Sequence, residues 1–273
     1  MLASLVASKR VRLDQALVER GLAPSRARAQ SLILAGLVRV DGELADKAGR
    51  GVTPEAAIEL VGEDHPWVSR GGVKLAAALD AFAIEPAGRR CLDVGASTGG
   101  FTDVMLARGA AQVVALDVGR GQLDWKLRSD PRVVVIEGVN ARLLEPADVP
   151  GPFGLVTVDV SFISLRLVLP ALVPLLASDG DLVALVKPQF EAGRGQVGKG
   201  GVVRDPKVRE AAIAAVLEAA RELGLECRGR IASPIAGPAG NVEELAWFTH
   251  ADGFAVPRRP EGDDLGTVGK PEP

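Results

Sequence analysis

The sequence has few of the residues that build disulfides or zinc sites. Among 273 residues there are two histidines and two cysteines, Cys91 and Cys227, which lie far apart and form no C-x-x-C pair. A structural zinc site needs about four such ligands, and a disulfide framework needs several paired cysteines. We therefore expect no metal site and no disulfide framework, and we expect a reducing, cytoplasmic compartment.

Long apolar runs and a large charge excess are also missing. No apolar stretch reaches the roughly 18 residues of a membrane-spanning helix, because Arg166, Pro170 and Pro174 interrupt the most hydrophobic candidate. Residues 1–8 lack the basic start and the length of a signal peptide. The net charge is −3, although residues 1–60 hold nine basic and seven acidic residues. We expect one large or two modest domains, no membrane role, and a monomer or weak homo-oligomer.

The most informative stretch that is present is residues 90–101, R-C-L-D-V-G-A-S-T-G-G-F. It predicts a strand around Asp93, a tight glycine-rich turn, and a helix that starts near Phe101. Such a turn brings backbone amides close to a ligand. A carboxylate at Asp93 would repel a pyrophosphate, so the pattern favours a zwitterion such as the aminoacyl group of S-adenosylmethionine. Its ammonium would contact Asp93 and its carboxylate the loop amides; a turn without a ligand is the alternative.

The first fifty or so residues predict a compact unit of two helices and a hairpin. Helices are expected at residues 11–20 and 26–35, followed by a strand at 37–40, an Asp41-Gly42 turn and a return strand at 43–46. The pattern R-L-D-x-x-L-V-x-x-G-L-x-x-S-R-x-x-A-x-x-L-I-x-x-G-x-V-x-V-D-G closely resembles the S4 RNA-binding domain. This resemblance implies that guanidinium groups of this unit contact RNA phosphates, namely those of Arg12, Arg26, Arg28 and Arg39.

After a polar linker at residues 61–68, strands and helices alternate. This βαβ rhythm predicts an α/β fold over residues 69–250, with a doubly wound, Rossmann-like parallel sheet that binds ligands at the carboxyl edge of its strands. Asp93, Asp117, Asp159 and Lys187 all fall at strand ends and are expected at that edge. The expected strands after residue 101 are 112–116, 132–136, 155–158 and 181–186, and the expected helices are 119–127, 165–177 and 206–223.

The last part of the chain adds a glycine-rich segment, a strand pair and a tail. Residues 190–204 nearly match a phosphate loop, but Gly200 stands where Ser or Thr is required. We interpret this segment as a basic lid that could order on RNA, with a plain surface loop as the alternative. Residues 225–233 and 242–249 predict two strands, and residues 251–273 a disordered tail.

Taken in order, the motifs of the whole chain resemble those of one family. S-R-G-G-x-K-L, D-V-G-A-S-T-G-G-F-T, A-L-D-V-G-x-G-Q-L, V-D-V-S-F-I-S-L, L-V-K-P-Q-F-E and G-N-V-E follow the S4-like unit. Together they resemble the TlyA family of S-adenosylmethionine-dependent, FtsJ-like ribosomal RNA 2′-O-methyltransferases, also called haemolysins. The resemblance implies transfer of a methyl group from S-adenosylmethionine to a ribose 2′-hydroxyl, of cytidine, with ribosomal RNA in ribosomal subunits as partner and no metal.

The resemblance also implies a catalytic tetrad of Lys74, Asp159, Lys187 and Glu243. A ribose hydroxyl is weakly acidic, so its attack on a sulfonium methyl gains from a base, from nearby cations and from in-line placement. Lys187 is the candidate base, because the positive charge of Lys74 would favour its neutral form, while Asp159 would orient it. Glu243 would hold Lys74 or the ribose, with Glu244 as the alternative glutamate.

Two larger sets of contacts complete the expected site. Asp117 would accept the ribose hydroxyls of the cofactor, and Asn140 would meet its adenine. The expected cofactor contacts are Asp93, Gly95, Ser97, Thr98, Gly99, Gly100, Phe101, Asp117, Val118, Asn140 and Asp159. The expected RNA contacts are Arg12, Arg26, Arg28, Arg39, Arg70, Arg194 and Lys199.

Three other functions are compatible with parts of the sequence. A membrane-lytic protein would need an amphipathic or spanning segment, and none is evident. A non-catalytic RNA-binding assembly factor would lack part of the tetrad, whereas this chain keeps all four members. Methylation of a base or a protein would use a different motif, because Asp159-Val-Ser-Phe is not the N-P-P-Y type.

Overall fold

A computed structural model of the chain describes residues 10–252 except 24, 35, 46, 62–64, 146, 150 and 238. The side chains at 27, 31, 34 and 194 are also outside the described part. The predicted tail therefore lies outside the described residues from position 253 onward.

The N-terminal unit joins two helices to short antiparallel strands. Its three-stranded sheet has the order β3-β2-β5, and β1 pairs separately with β4. The Asp41-Gly42 turn has positive φ at both residues, as a tight hairpin requires. Leu13, Leu17, Ile33 and Val38 are fully buried between the helices and strands. The elements are β1 (Val11–Arg12), α1 (Leu13–Glu19), α2 (Arg26–Leu34), β2 (Val38–Val40), β3 (Glu43–Leu44), β4 (Gly51–Val52) and β5 (Ile58–Leu60).

The larger unit alternates strands with helices. Its elements are α3 (Gly71–Phe82), β6 (Arg90–Val94), α4 (Gly100–Ala107), β7 (Gln112–Asp117), α5 (Trp125–Arg128), β8 (Val133–Glu137), β9 (Phe153–Val158), α6 (Leu165–Leu172), β10 (Leu176–Val186), α7 (Pro188–Glu191), α8 (Pro206–Glu222), β11 (Leu225–Ala232) and β12 (Glu244–His250). They form one seven-stranded sheet in the order β11-β12-β10-β9-β6-β7-β8. Strands β6 to β10 are parallel, whereas β12 runs antiparallel to both β10 and β11. The predicted doubly wound α/β fold is confirmed.

Apolar side chains cover both faces of this sheet. On one face, Leu165 and Val168 of α6 and Ile213 of α8 pack into the core with strand residues. On the other face, Leu75 of α3 and Met105 of α4 do the same. The strands therefore lie buried between two helical layers, which explains why residues 113–116 of β7 and 182–186 of β10 are continuous apolar runs in the sequence.

Three expected helices have the wrong boundaries, and the strand expected at 181–186 begins five residues earlier, at Leu176. The first helix starts at Leu13, because Val11 and Arg12 pair with β4 as a strand. The helix expected at 119–127 is reduced to α5, since Gly121 takes φ +68° and the Gly119 amide bonds the Asp117 carboxylate instead of starting a helix.

The helix expected at 165–177 ends at Leu172 and continues as a 3₁₀ turn with Pro174 in its first turn. Strand β10 then begins at Leu176, which pairs with Phe153. A proline lacks the backbone donor that a longer helix would need there.

No helix in the described part of the chain is long and apolar enough to cross a membrane.

Candidate active site

The carboxyl ends of four neighbouring parallel strands form the floor of the site. Val94, Leu116 and Val158 lie at the same level, because β6 pairs with β7 and β9 in register. Asp117 closes β7, and Asp159 and Lys187 directly follow β9 and β10. These three side chains therefore share one edge of the sheet, as parallel strands of equal register require.

The glycine-rich loop after β6 is held at this edge by close backbone packing. Gly95 has φ +84°, and a Cβ there would lie 2.5 Å from the Asp159 carbonyl oxygen. Only glycine fits both conditions. The loop is also tied to the next strand, because the Ser97 and Gly119 amides donate to the two oxygens of Asp117 at 2.8 and 2.6 Å.

Asp93 lies beneath the loop and not in the cavity, so the expected direct contact with an ammonium group is wrong. Its side chain is 0% exposed, and its carboxylate accepts hydrogen bonds from Thr102 Oγ1 at 2.7 Å and Thr157 Oγ1 at 3.2 Å. Burial, with a smaller contribution from the charge of Asp159, raises the pKa of Asp93 to about 7. A ligand cannot reach this group without opening the loop.

The N-termini of α3 and α4 are in close contact. This contact brings Lys74 to the same carboxyl edge of the sheet. A Cβ at Gly100 would lie 2.3 Å from Ser69 Oγ and 2.7 Å from the Gly72 nitrogen. This approach is possible only because both helices begin with glycines. It places the first two turns of α3, including Lys74, over the carboxyl ends of the strands.

Lys74 forms the more deeply buried of two ion pairs in the site. Its Nζ lies 2.5 Å from Glu243 Oε2, and the two side chains are 9% and 1% exposed. Gln189 Nε2 donates to the other oxygen of Glu243 at 3.3 Å. A Cβ at Gly237 would lie 2.5 Å from that same oxygen, so a glycine is required beside the carboxylate. Glu244 does not line the cavity and instead pairs with Arg230 on β11 at 3.6 Å.

Lys187 forms the second ion pair. Its Nζ lies 2.6 Å from Asp159 Oδ1, an approach that is an ion pair but not an aligned hydrogen bond. The same Nζ donates to Ser161 Oγ at 2.8 Å. Two ammonium groups and two carboxylates thus converge on one region, each lysine held by its own carboxylate.

A cavity of about 210 Å³ is bounded by these four charged side chains. Its wall also includes Arg70, Thr98, Gly100 and Phe101. A second cavity of about 520 Å³ adjoins it and is lined by Asp117, Val118, Gln122, Asn140 and Phe162, among others. The two cavities share Gly95, Ser97, Asp159 and Ser161. The arrangement can hold an elongated ligand in the larger cavity with one end directed at the lysines.

The remaining expected cofactor contacts are divided between surface and interior. Val118 is 69% exposed beside the larger cavity. The Asn140 side chain accepts a hydrogen bond from the Arg142 amide at 3.0 Å while it lines that cavity. Gly99 lines neither cavity, because it packs against Leu127 of α5.

In the N-terminal unit, Arg12 and Arg26 converge on one buried carboxylate. Asp14 is 0% exposed and accepts from Arg12 Nε and Nη2 at 3.0 Å, Arg26 Nη2 at 3.1 Å and Gln30 Nε2 at 2.8 Å. The bonds from Arg12, followed by those from Gln30 and Arg26, hold the pKa of Asp14 well below its usual range. The two guanidinium groups remain about half exposed and are fixed side by side.

The other expected RNA contacts do not form one patch. Arg28 is half-buried and donates to the backbone oxygens of His65 at 3.0 Å and Trp67 at 3.5 Å, so it joins the N-terminal unit to the linker. Arg39 is exposed and donates to the Gly42 oxygen. Arg70 lines the smaller cavity, and its guanidinium lies against Gly36 of the N-terminal unit. Lys199 is exposed, while the Arg194 side chain is outside the described part.

Sequence reasoning missed three residues of the site: Ser161, Gln189 and Phe162. Ser161 and Gln189 contact the tetrad through hydrogen bonds that no local pattern reveals. Phe162 has φ +64° and is 91% exposed, with its ring 5.2 Å from that of Phe190. A positive φ at a bulky residue is a structural signal with no counterpart in sequence.

Comparison with known proteins assigns both parts of the chain to families. The pattern of the FtsJ-like methyltransferases matches residues 67–250, and that of the S4 domain matches residues 11–58. The chain is an FtsJ-like methyltransferase of the TlyA family. The 16S/23S rRNA (cytidine-2′-O)-methyltransferase TlyA of Mycobacterium tuberculosis is 57% identical over 242 residues, which cover 88% of this chain and 90% of that protein.

Two further relatives of this TlyA-family chain carry a haemolysin name. Hemolysin A of Brachyspira hyodysenteriae is 41% identical, over 87% of this chain and 99% of that protein. A solved structure named "Putative hemolysin from Streptococcus thermophilus" is 44% identical, with a TM-score of 0.71 and 90% coverage of both chains. The chain therefore shares fold and domain order with proteins known under both names.

Proposed function

We propose that the chain transfers a methyl group from S-adenosylmethionine to the 2′-hydroxyl of a cytidine ribose in ribosomal RNA. The observation that carries this proposal is the pair of lysine–carboxylate contacts, buried Lys74–Glu243 and partly buried Lys187–Asp159, around one cavity that opens into a larger one. The name of the Mycobacterium tuberculosis relative supports the choice of a cytidine ribose in rRNA.

The residues of the larger cavity fit the methyl donor. Asp117 offers a carboxylate for ribose hydroxyls, and Val118 and Asn140 offer an apolar and a polar contact for an adenine ring. Gly95 provides a backbone cradle that a Cβ would fill. Asp159 lines both cavities and replaces Asp93 as the candidate partner of the ammonium group. When bound, the donor supplies an electrophilic methyl carbon.

The smaller cavity fits the acceptor ribose. With the 2′-hydroxyl between the two lysines, neutral Lys187 takes its proton as the ribose oxygen attacks the methyl carbon. Lys74 remains an ammonium group held by Glu243, and it stabilises the negative charge that develops on the oxygen. Both lysines are under a tenth exposed, so these charges act in a site that excludes most water.

RNA delivery is assigned to the N-terminal unit and to the rim of the cavity. Arg12 and Arg26 form a fixed pair of phosphate donors, and Arg70 lies between that unit and the tetrad. Lys199, in the glycine-rich segment, is an exposed cation that could reach the same strand of RNA.

The test is transfer of labelled methyl from S-adenosylmethionine to ribosomal subunits that lack the modification, with the position mapped by reverse-transcription stops. We expect label on a ribose 2′-oxygen, and we expect Lys187→Ala to reduce the rate by about 10²-fold or more, the usual contribution of a general base. Lys207→Ala, an exposed lysine on α8, is the matched control and should be fully active.

Label on a base, or full activity of Lys187→Ala, would contradict the proposed mechanism. No transfer to either subunit would instead favour a non-catalytic RNA-binding role.

A further inference from the structure

Ser161 is the one group in the described part of the chain that makes an aligned hydrogen bond to the candidate base. Its Oγ lies 2.8 Å from Lys187 Nζ. The Asp159 carboxylate is closer, at 2.6 Å, but it approaches outside hydrogen-bond geometry. The Asp159 carboxylate therefore attracts the charge of Lys187, whereas the hydrogen bond to Ser161 fixes the orientation of the Lys187 amine.

The two contacts respond differently when Lys187 loses its proton. The attraction of Asp159 depends on the positive charge of the ammonium group and falls sharply when the amine is neutral. A hydroxyl oxygen accepts an N–H bond from both forms, more strongly from an ammonium group but also from a neutral amine. The neutral amine, the form that can act as a base, is thus held mainly by Ser161.

The position of Ser161 suits this role. It is exposed at the boundary of the two cavities, directly after the turn that carries Asp159. The next residue, Phe162, has φ +64°, and Ser164 and Leu165 bond Glu191 of α7, just beyond Lys187. The segment 161–165 is therefore fixed to the same helix that Lys187 precedes.

We propose that Ser161 is a positioning residue that orients neutral Lys187, so that its lone pair faces the 2′-hydroxyl. This inference rests on the proposed function of Lys187 as the base. In the step that it supports, the hydroxyl O–H bond breaks and its proton forms a third N–H bond on Nζ. The oxygen forms the new bond to the methyl carbon as the bond from that carbon to the sulfonium sulfur breaks, and its electron pair stays on the departing sulfur. The other charged groups that face this cavity are Arg70, Lys74 and Glu243, beside Asp159.

The experiment compares Ser161→Ala, Ser161→Thr and Ser164→Ala in the full chain, with undermethylated ribosomal subunits and labelled S-adenosylmethionine. For Ser161→Ala we expect kcat to fall about 10-fold, the effect of losing one ordinary hydrogen bond. The KM values for both substrates should stay unchanged. The acid limb of the pH–kcat profile should move to lower pH, because removal of an acceptor disfavours the ammonium form.

Ser161→Thr keeps the hydroxyl and should restore both kcat and the position of the acid limb. This variant decides the question even if the alanine variant is less stable. Ser164→Ala disturbs the same segment through the contact with Glu191, without touching Lys187, and its acid limb should stay where it is.

An increase in the KM for the subunits with an unmoved acid limb would make Ser161 an RNA contact and overturn the inference. Unchanged kcat in Ser161→Ala would also overturn it, while full activity of Lys187→Ala or inactivity of the unsubstituted chain would overturn the proposed function as well.

Discussion

Asp93 shows how far a single residue can depart from the role that its position in a motif suggests. The motif placed a carboxylate beside the glycine-rich loop, where a ligand's ammonium group was expected. Thr102, in α4, and Thr157, in β9, instead enclose that carboxylate. Neither threonine is near Asp93 in sequence, so the sequence alone could not distinguish a ligand contact from a buried support.

The raised pKa of Asp93 predicts a pH-dependent contribution to stability. The buried carboxyl keeps its proton up to a pH of about 7, whereas an exposed aspartate in the unfolded chain ionises near pH ~4. Between these values the folded state binds more protons, so its stability falls as the pH rises through this window. Asp93→Asn removes this titration, and the threonine hydroxyls can bond an amide as well as a carboxyl.

Thermal melts at pH 5 and pH 7.5 provide the measurement. The melting temperature of the unsubstituted chain should drop more between the two values than that of Asp93→Asn. Asp179→Asn, at an exposed aspartate, should behave like the unsubstituted chain. An equal drop in the unsubstituted chain and in Asp93→Asn would show that Asp93 ionises normally in the fold.

At the scale of elements, the contact between the starts of α3 and α4 determines where Lys74 lies. The atoms that would meet a Cβ at Gly100 include the Gly72 nitrogen at 2.7 Å, and backbone cannot move as a side chain can. Gly100→Ala should therefore push the two helices apart at a cost of about 1–3 kcal/mol, as overpacked sites do. The displacement should also move Lys74 from Glu243.

We expect Gly100→Ala to lower both the melting temperature and the methyl-transfer rate. Gly195→Ala is the control, because nothing lies within 4 Å of the position of its Cβ. A Gly100→Ala variant with the melting temperature and rate of the unsubstituted chain would mean that the helices adjust freely there.

Among the helices and strands, those with a clear pattern in their own sequence could be predicted, and those without one could not. Strands β7 and β10 each contain a buried apolar run, residues 113–116 and 182–186, and their existence was predicted correctly. The helix expected at 119–127 failed, because its amides bond carboxylates from elsewhere, Gly119 with Asp117 and Gly121 with Glu137. Such bonds join residues of neighbouring strand ends, and periodicity within one segment cannot reveal them.

For the site, the four residues of the proposed tetrad come from four separate regions of the chain, and all of them line one cavity. The βαβ rhythm predicts that Asp159 and Lys187 meet at the carboxyl edge of the sheet, whereas Lys74 on α3 and Glu243 before β12 were placed only by the motifs. The contacts of Arg28 could not be predicted. Its guanidinium bonds backbone oxygens of the linker, and an arginine on a helix surface gives no sign of that in sequence.

At the scale of the whole molecule, RNA binding and catalysis are assigned to different units. Arg12 and Arg26 sit on the N-terminal unit and share Asp14, whereas the tetrad lies over the large sheet. The double variant Arg12→Ala, Arg26→Ala should therefore raise the KM for ribosomal subunits and leave kcat at saturation nearly unchanged. Its binding should also depend less on salt, with a slope of log K against log salt smaller by about one for each lost phosphate contact.

Binding and turnover measured over a salt series test this separation. Arg221→Ala, at an exposed arginine on α8 that pairs with Glu218, is the control and should keep the original slope. A fall in kcat at saturating subunits would show that the two arginines act on the chemistry and not on RNA binding alone.

The wall between the two cavities consists of residues that belong to both, Gly95, Ser97, Asp159 and Ser161. Two ligands that contact the same residues are thermodynamically linked. If the first ligand changes the affinity of the protein for the second by some factor, the second changes the affinity for the first by the same factor. If donor binding fixes the positions of Asp159 and Ser161, the affinity of the protein for ribosomal RNA rises. Bound RNA then raises the affinity for the donor, which stays bound until transfer. Transfer leaves the donor sulfur uncharged, so the carboxylates around the cavities attract the spent donor less than the intact one, which favours its release.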